Sequence, residues 1–188
     1  MSRRLTIGGI PVGGGAPVAI QSMTTAHTSD TEKTLGQIFR LAEAGCDIVR
    51  VSVRDEEDAR AIKALKDKSP LPIVADIHFS ARLAVLSIES GADKVRINPG
   101  NIGGEEQIKT VADCIRAHRI PVRVGANTGS IEREFLRRYG VSAQSLVESA
   151  LYNVRLLEKF GVEDIVISVK ASSVPLTVDA YTLLAQKT

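Results

Sequence analysis

The chain has 188 residues, of which 44% are apolar and 24% charged, and its formal net charge is +2. A chain of this size and composition forms one globular domain with a sizeable core, which excludes an intrinsically disordered protein. The small net charge, the 4% aromatic content and the absence of tryptophan argue against a protein that binds nucleic acid.

No apolar run reaches membrane-spanning length, and no apolar segment of a secretory signal follows the basic start at residues 1–4. The two cysteines, Cys46 and Cys114, are too far apart for a redox or metal motif. We therefore expect a cytoplasmic protein with no membrane partner and no metal site in this chain.

The first 17 residues, with Gly13-Gly14-Gly15, predict a hairpin or entry turn, because a phosphate-cradling glycine loop would lead into a helix and this one leads into a strand. The predicted strands that follow are Val18–Thr24, Asp47–Val53, Pro72–His78, Lys94–Asn98, Pro121–Asn127 and Asp164–Ala171. The predicted helices are Asp30–Ala44, Glu56–Lys66, Ser80 to Gly91, Glu105–Ala117, Ala143–Phe160 and one from about Leu176 to the end. Ser29 and Glu32 predict a capping box at the first helix.

A repeated sequence marks these units. Residues 44–51 (AGCDIVRV) match residues 90–97 (SGADKVRI), with a weaker copy at residues 160–167 (FGVEDIVI). Strands that alternate with helices predict an α/β fold with a parallel sheet and right-handed crossovers. Six units predict an incomplete TIM-type (β/α)8 barrel, since the full barrel needs eight units and about 250 residues. A flavodoxin-like or Rossmann sheet is the alternative.

The alternation of side chains along each strand assigns its two faces. The apolar face, predicted to pack against helices, carries Val18, Ile20, Val49, Val51, Val53, Ile73, Ala75, Ile77, Val95, Ile97, Val122, Val124, Ile165, Ile167 and Val169. The other face carries polar groups near the carboxyl end of each strand: Gln21, Arg50, Ser52, Asp76, His78, Arg96, Asn98, Arg123, Asn127, Ser168 and Lys170. An open parallel sheet buried on both faces would be apolar throughout, whereas barrel enzymes place their active sites at this end, so the pattern favours the barrel.

The predicted mouth gathers four cations, Arg50, Arg96, Arg123 and Lys170, against one carboxylate, Asp76. Two like charges at about 4 Å repel by roughly 4 kcal/mol even at an effective dielectric constant of ~20, so the cluster predicts a multiply charged anion such as a diphosphate. The turn at residues 99–104 would add backbone N–H groups at the start of the next helix.

Two further features allow alternatives. We interpret Asp76 and His78 as a hydrogen-bonded pair rather than half of a metal site, because no further ligands appear in the sequence. The long connection at residues 128–141 is interpreted as a solvated face, with a lid over the site as the alternative.

At these residues the sequence resembles the N-terminal barrel domain of the 4-hydroxy-3-methylbut-2-enyl diphosphate synthase family, the iron–sulfur enzymes of the non-mevalonate isoprenoid pathway. The resemblance covers the whole chain and is carried by six motifs in order: residues 19–24 (AIQSMT), 49–53 (VRVSV), 75–79 (ADIHF), 95–103 (VRINPGNIG), 122–127 (VRVGAN) and 168–172 (SVKAS).

The resemblance implies an oxidoreductase that reductively opens 2-C-methyl-D-erythritol 2,4-cyclodiphosphate, with electrons from a [4Fe–4S] cluster that ferredoxin or flavodoxin recharges, and it implies a homodimer. Residues 1–188 would be the N-terminal, partial TIM-barrel substrate-binding domain, and the C-terminal iron–sulfur domain is absent from this chain. The motifs assign Arg50, Arg96, Asn98, Arg123, Asn127 and Lys170 to diphosphate binding, and we add Gln21, Asp76, His78 and Ser168 from the same face.

We expect the isolated chain to hold no cluster, to bind the substrate weakly or not at all, and to be inactive alone. We also expect it either to associate through its unpaired edge strands or to form a strained open barrel. Two other functions remain open at this point. One is a non-redox phosphate-binding barrel, such as an aldolase or a pterin-type transferase, in which Lys170 would form a Schiff base. The other is a non-catalytic binding fragment.

Overall fold

We analysed a computed structural model of the chain, which describes residues 3–188; residues 1 and 2, half of the basic start noted above, lie outside the described residues. The strands are β1 Leu5–Ile7, β2 Ile10–Val12, β3 Gln21–Met23, β4 Ile48–Val53, β5 Ile73–Ile77, β6 Lys94–Ile97, β7 Val122–Asn127 and β8 Ile165–Lys170. The helices are α1 Thr31–Glu43, α2 Glu56–Lys66, α3 Ala81–Glu89, α4 Glu105–His118, α5 Arg133–Tyr139, α6 Ala143–Glu158 and α7 Val174–Lys187, and a 3₁₀ turn spans Pro99–Asn101.

Strands β3 to β8 form one parallel sheet in which every strand pairs with the next one along the chain. The sheet curls into a half-barrel with the helices outside, which confirms the predicted incomplete TIM-type barrel. A doubly wound sheet would reverse its strand order at a switch point, and this sheet does not, so the flavodoxin-like or Rossmann alternative is wrong.

The core lies between the outer face of the sheet and the helices. Val49, Val51 and Ile73 are among the fully buried side chains of this layer, as strand alternation predicts. A smaller cluster lies inside the curl, where Ile48 and Val74 pack against Ile7 of the hairpin β1–β2. The hairpin therefore covers the amino-terminal end of the strands, and the carboxyl end is left as the open mouth.

The prediction for the first strand of the sheet is wrong in its length and its outer face. The strand β3 covers only Gln21–Met23, while Val18 and Ile20 are 91% and 60% exposed instead of facing helices. The physical reason is the partner strand: β4 begins at Ile48, opposite Gln21, so residues 18 and 19 have no neighbour to pair with.

Two smaller predictions are also corrected. The N-cap of α1 is Asp30, whose side chain accepts a hydrogen bond from the Lys33 N–H, and not Ser29, whose own N–H donates to Asp58. The connection at residues 128–141, for which no regular structure is predicted from the sequence, contains a short helix, α5. Among residues 3–188, no helix combines the length and the apolar character needed to cross a membrane.

Candidate functional site

A cavity of about 360 Å³ opens at the carboxyl ends of β4, β5, β6, β7 and β8. Its lining residues include eight of the ten site residues predicted from the sequence: Arg50, Asp76, His78, Arg96, Arg123, Asn127, Ser168 and Lys170. The other two, Gln21 and Asn98, do not line it. The strands bring these side chains together because residues two apart on a strand share a face and parallel strands end at the same edge.

Asp76 is the organising group of the cavity. The sheet register places Asp76, Arg96 and Arg123 in one row across β5, β6 and β7. The nearly buried Asp76 carboxylate contacts Arg96 Nη1 at 3.1 Å through Oδ1, and its Oδ2 lies 3.6 Å from both Arg50 Nε and His78 Nε2. One carboxylate thus orients two guanidinium groups and an imidazole toward the same space.

Arg50 and Arg123 are oriented further by neutral partners. Arg123 Nε donates to Ser168 Oγ at 3.0 Å, and Ser168 comes from the adjacent strand β8. Arg50 donates from Nε and Nη2 to the sulfur of Met23, at 3.3 and 3.1 Å. Met23 was not among the predicted site residues, although alternation from Gln21 would have placed it on the inner face.

Gly125 provides the space that Arg96 occupies. A Cβ at position 125 would lie 3.1 Å from Arg96 Nη2 and 3.2 Å from its Nε, closer than side chains normally pack. The guanidinium therefore lies against the backbone of β7, and a methyl group at position 125 would require it to shift by a few tenths of an ångström.

Asn98 occupies the turn beside the cavity and is buried. Its Oδ1 accepts a hydrogen bond from the Gly100 N–H at 3.2 Å, which stabilises the 3₁₀ turn after β6. The same N–H donates to Asn153 Oδ1 on α6 at 2.8 Å, and Asn153 Nδ2 donates to Glu132 Oε1 at 2.7 Å. Asn153 thus ties the loop after β6 to the loop after β7, and the sequence analysis did not identify it.

Gln21 lies deeper, beside a lysine that the sequence analysis also missed. Lys94 Nζ is 3.4 Å from Gln21 Oε1, and Lys94 is only 4% exposed. Burial, with the charges of Arg123 and Arg50 adding to it, lowers the pKa of Lys94 to about 8. The spacing from Arg96 and Asn98 was a usable signal, since all three residues alternate onto one face.

The charges of the cavity do not balance. Four cations, Arg50, Arg96, Arg123 and Lys170, line it together with the one carboxylate of Asp76, which leaves about three positive charges. Burial lowers the pKa of Arg123, and the nearby guanidiniums of Arg50 and Arg96 lower it further. Arg96 and Arg123 lie directly opposite each other in the register, an arrangement that is unfavourable unless an anion lies between them.

The residues present do not fit an iron–sulfur cluster. Such clusters are held mainly by cysteine thiolates, usually four, and the chain contains two cysteines. Cys46 is buried with its Sγ donating to the Ile48 carbonyl, and burial raises the pKa of Cys114 on α4. Among the described residues, no three His, Cys, Asp or Glu side chains are grouped as a metal site would require.

Fold and site together place the chain in the class of (β/α)-barrel proteins with a cation-lined mouth at the carboxyl ends of the strands. Residues 2–188 match the family model described as the GcpE TIM-barrel domain, and the chain belongs to this family.

Curated relatives extend the match. A 4-hydroxy-3-methylbut-2-en-1-yl diphosphate synthase (flavodoxin) of Caldanaerobacter subterraneus subsp. tengcongensis is 54% identical over all of this chain and 53% of the relative. The protein of the same name from Brevibacillus brevis is 51% identical over 96% of this chain and 51% of its own length. The chain therefore spans about half the length of the curated relatives it matches.

Solved structures agree on the fold. A truncated 3-deoxy-D-arabino-heptulosonate 7-phosphate synthase from Thermotoga maritima superposes with a TM-score of 0.69 at 13% identity, covering 98% of this chain and 65% of that one. A dihydropteroate synthase from Coxiella burnetii gives a TM-score of 0.64 at 15% identity, covering 99% and 74%. At these identities the likeness concerns the barrel architecture alone.

Proposed function

We propose that this chain is the substrate-binding half-barrel of a 4-hydroxy-3-methylbut-2-en-1-yl diphosphate synthase, and that its cavity binds the diphosphate of 2-C-methyl-D-erythritol 2,4-cyclodiphosphate. The observation that carries the proposal is the surplus of about three positive charges around Asp76. A cyclic diphosphate with two negative charges offsets most of that surplus and relieves the repulsion between Arg96 and Arg123.

Each residue has a role in this proposal. Arg50, Arg96 and Arg123 donate charge-assisted hydrogen bonds to the phosphate oxygens, and Lys170 at the rim adds a mobile charge. Asp76 holds Arg50 and Arg96 in place, and Ser168 holds Arg123. Asn127 and His78 complete the walls. Asn98, which does not line the cavity, stabilises the turn after β6, and Gln21 contacts the buried Lys94.

The reaction as a whole requires parts that this chain does not supply. In the proposal, a [4Fe–4S] cluster held outside these residues provides the electrons for the reductive ring opening, and flavodoxin, named in the relatives, or ferredoxin recharges it. A homodimer and a cytoplasmic location belong to the same proposal; both cysteines are free thiols, in keeping with a reducing compartment. The residues described here bind and orient the substrate.

Calorimetric titration of the chain with the cyclic diphosphate tests the proposal. We expect saturable one-to-one binding that Arg96→Ala weakens about ten- to hundredfold, because a hydrogen bond to a charged group contributes about 1.5–3 kcal/mol. Arg82→Ala is the matched control, since Arg82 is 76% exposed on α3 and lies outside the cavity.

Equal affinity of the Arg96→Ala variant and the unaltered chain would refute the site. Binding that is as strong for sulfate as for the cyclic diphosphate would favour the non-catalytic binding fragment considered from the sequence, with a cavity that binds anions without specificity.

A further inference from the structure

Lys94 occupies an unusual position for a lysine. It lies on the inner face of β6, two residues before Arg96, and pairs with Val74, which in turn pairs with Arg50. It is 4% exposed, and its amine donates to the neutral amide oxygen of Gln21 at 3.4 Å. Among residues 3–188, no carboxylate lies within ion-pair distance of its amine.

A buried ammonium without a counter-ion is unstable by several kcal/mol, so it either loses its proton or acquires an anion nearby. The charged groups that face Lys94 make the situation worse. Arg50 approaches from β4 and Arg123 from β7, while Arg96 lies ahead of it on its own strand. Asp76 on β5 is already engaged by Arg96 and Arg50, and the other titratable groups near these arginines include His78, Lys170 and Tyr181.

We propose that Lys94 is an internal counter-charge for the anion that fills the cavity, so that protonation of its amine and occupation of the cavity favour each other. This inference rests on the proposed function, because it requires the cavity to hold an anion. Lys94 does not line the cavity, so it acts through the field it shares with Arg50 and Arg123 and not by contact with the ligand. Lys94 is therefore a positioning residue, which affects the bound anion through its charge alone.

The coupling follows from the electrostatics of the site. With the pKa of Lys94 lowered to about 8, its amine is about half neutral at pH 8 in the free protein. An anion placed between Arg50 and Arg123 offsets two of the causes of that lowering, so the neutral fraction of Lys94 takes a proton from solvent at Nζ while no bond in the ligand changes. Linkage is reciprocal, so the protonated amine also strengthens anion binding.

Titration calorimetry in two buffers of different ionisation enthalpy measures this proton. The probe is 2-C-methyl-D-erythritol 2,4-cyclodiphosphate, because each of its phosphorus atoms carries one ester and one anhydride oxygen, which leaves a single acidic group that ionises far below neutral pH. At pH 8 we expect an uptake of up to about half a proton per ligand bound. The affinity should fall roughly fivefold between pH 7 and pH 9 if the bound anion raises the pKa of Lys94 by about one unit.

Two variants identify the side chain that takes up the proton. Lys94→Met removes the amine at similar volume, so its binding enthalpy should not depend on the buffer and its affinity should not change between pH 7 and pH 9. Lys68→Met is the matched control, because Lys68 is exposed after α2 and lies outside the cavity, and it should retain the uptake. If Lys94→Met fails to fold, Lys94→Gln replaces it, and the same results are expected.

The outcomes separate this inference from the proposed function. No heat of binding in the unaltered chain overturns the proposed function itself. Binding with the same enthalpy in both buffers overturns only the role of Lys94, and so does an uptake that persists in Lys94→Met. An uptake that disappears in Lys94→Met and remains in Lys68→Met supports it.

Discussion

Arg96 lies against the bare Cα of Gly125, with its Nη2 at 3.1 Å from the place where a Cβ would be. The contact joins two strands, because Arg96 belongs to β6 and Gly125 to β7. The same guanidinium is held from its other side by Asp76 at 3.1 Å. The Arg96 guanidinium is thus confined between the Asp76 carboxylate and the backbone of β7, which fixes its orientation.

The first prediction concerns this confinement. In Gly125→Ala the new methyl group should displace the Arg96 guanidinium by a few tenths of an ångström, and we expect cyclic diphosphate binding to weaken about fivefold. Stability should change little, because the Gly125 backbone is not in a left-handed conformation. Calorimetric titration and thermal unfolding of the variant measure the two effects separately.

Gly36→Ala is the control for the first prediction. Gly36 lies within α1, and the nearest atom to its added Cβ, the Nη1 of Arg40, is 3.9 Å away. The alanine should stabilise the helix by about 0.5–1 kcal/mol without any effect on binding. An unchanged affinity in Gly125→Ala would show that the position of Arg96 does not matter for the anion.

The second prediction concerns Asp76 as the central carboxylate. Asp76→Asn leaves Arg50 and Arg96 partly buried without a counter-charge, which should cost about 3 kcal/mol and lower the melting temperature by roughly 6–12 °C. Saturating cyclic diphosphate should then raise the melting temperature more in the variant than in the unaltered chain, because the anion replaces the lost charge.

Asp113→Asn provides the comparison for Asp76, because Asp113 pairs with Arg116 at 3.5 Å on the exposed surface of α4. Exposed ion pairs contribute about 0–1 kcal/mol, so the melting temperature should hardly change. A loss at Asp76 no larger than that at Asp113 would contradict the central role of Asp76.

Much of the site could be predicted from the sequence because strand alternation is a strict geometric rule. Arg50, Arg96 and Arg123 each lie on the inner face, where their parity places them, and all three line the cavity. The prediction that each cation lies near the carboxyl end of its strand is wrong for Arg123, which is the second residue of β7. Lys94 obeys the same rule but is not predicted as a site residue, because barrel active sites are expected at the carboxyl ends of the strands and Lys94 begins β6.

Other features depended on information that the local sequence does not contain. The length of β3 is set by where β4 begins, so Val18 and Ile20 could not be recognised as exposed from their own alternation. Asn153 lies on the buried face of α6 and acts only through loops that are distant in the sequence. A polar residue of this kind is identified by its contacts and not by periodicity.

The third prediction concerns the pH dependence of stability. The pKa of Lys94 is about 8 in the folded chain and near 10.5 when it is exposed, so between these values the unfolded chain binds more protons and stability rises with pH. Below pH 8 the folded chain carries a buried ammonium at a cost of about 3 kcal/mol. Lys94→Met should therefore be more stable than the unaltered chain at pH 7, with a much smaller difference at pH 10.

Urea unfolding at pH 7 and pH 10 measures the third prediction. Lys68→Met is the matched control, because Lys68 is exposed after α2 and its replacement should give a difference that does not depend on pH. A destabilised Lys94→Met variant at pH 7 would mean that the buried amine has a compensating partner in solution and would contradict the lowered pKa.

The fourth prediction concerns the link that Asn153 makes between the two loops of the mouth. Asn153→Asp keeps the oxygen that accepts from the Gly100 N–H but turns the 2.7 Å contact with Glu132 into a contact between two carboxylates. We expect a loss of about 2–4 kcal/mol in stability and weaker binding of the cyclic diphosphate, because the turn beside Asn98 loses its support.

The double variant Asn153→Asp with Glu132→Gln should recover much of that loss, because the amide introduced at position 132 can donate to the carboxylate introduced at position 153. The expected coupling free energy between the two sites is at least about 1 kcal/mol, measured by urea unfolding of all four proteins. Gln144→Glu is the control, since Gln144 makes the same amide–carboxylate contact with Glu148 at 2.8 Å, beside Lys187 and Arg155, which offset an added charge. If the two substitutions at 132 and 153 were simply additive, the hydrogen bond between these residues would not support the mouth.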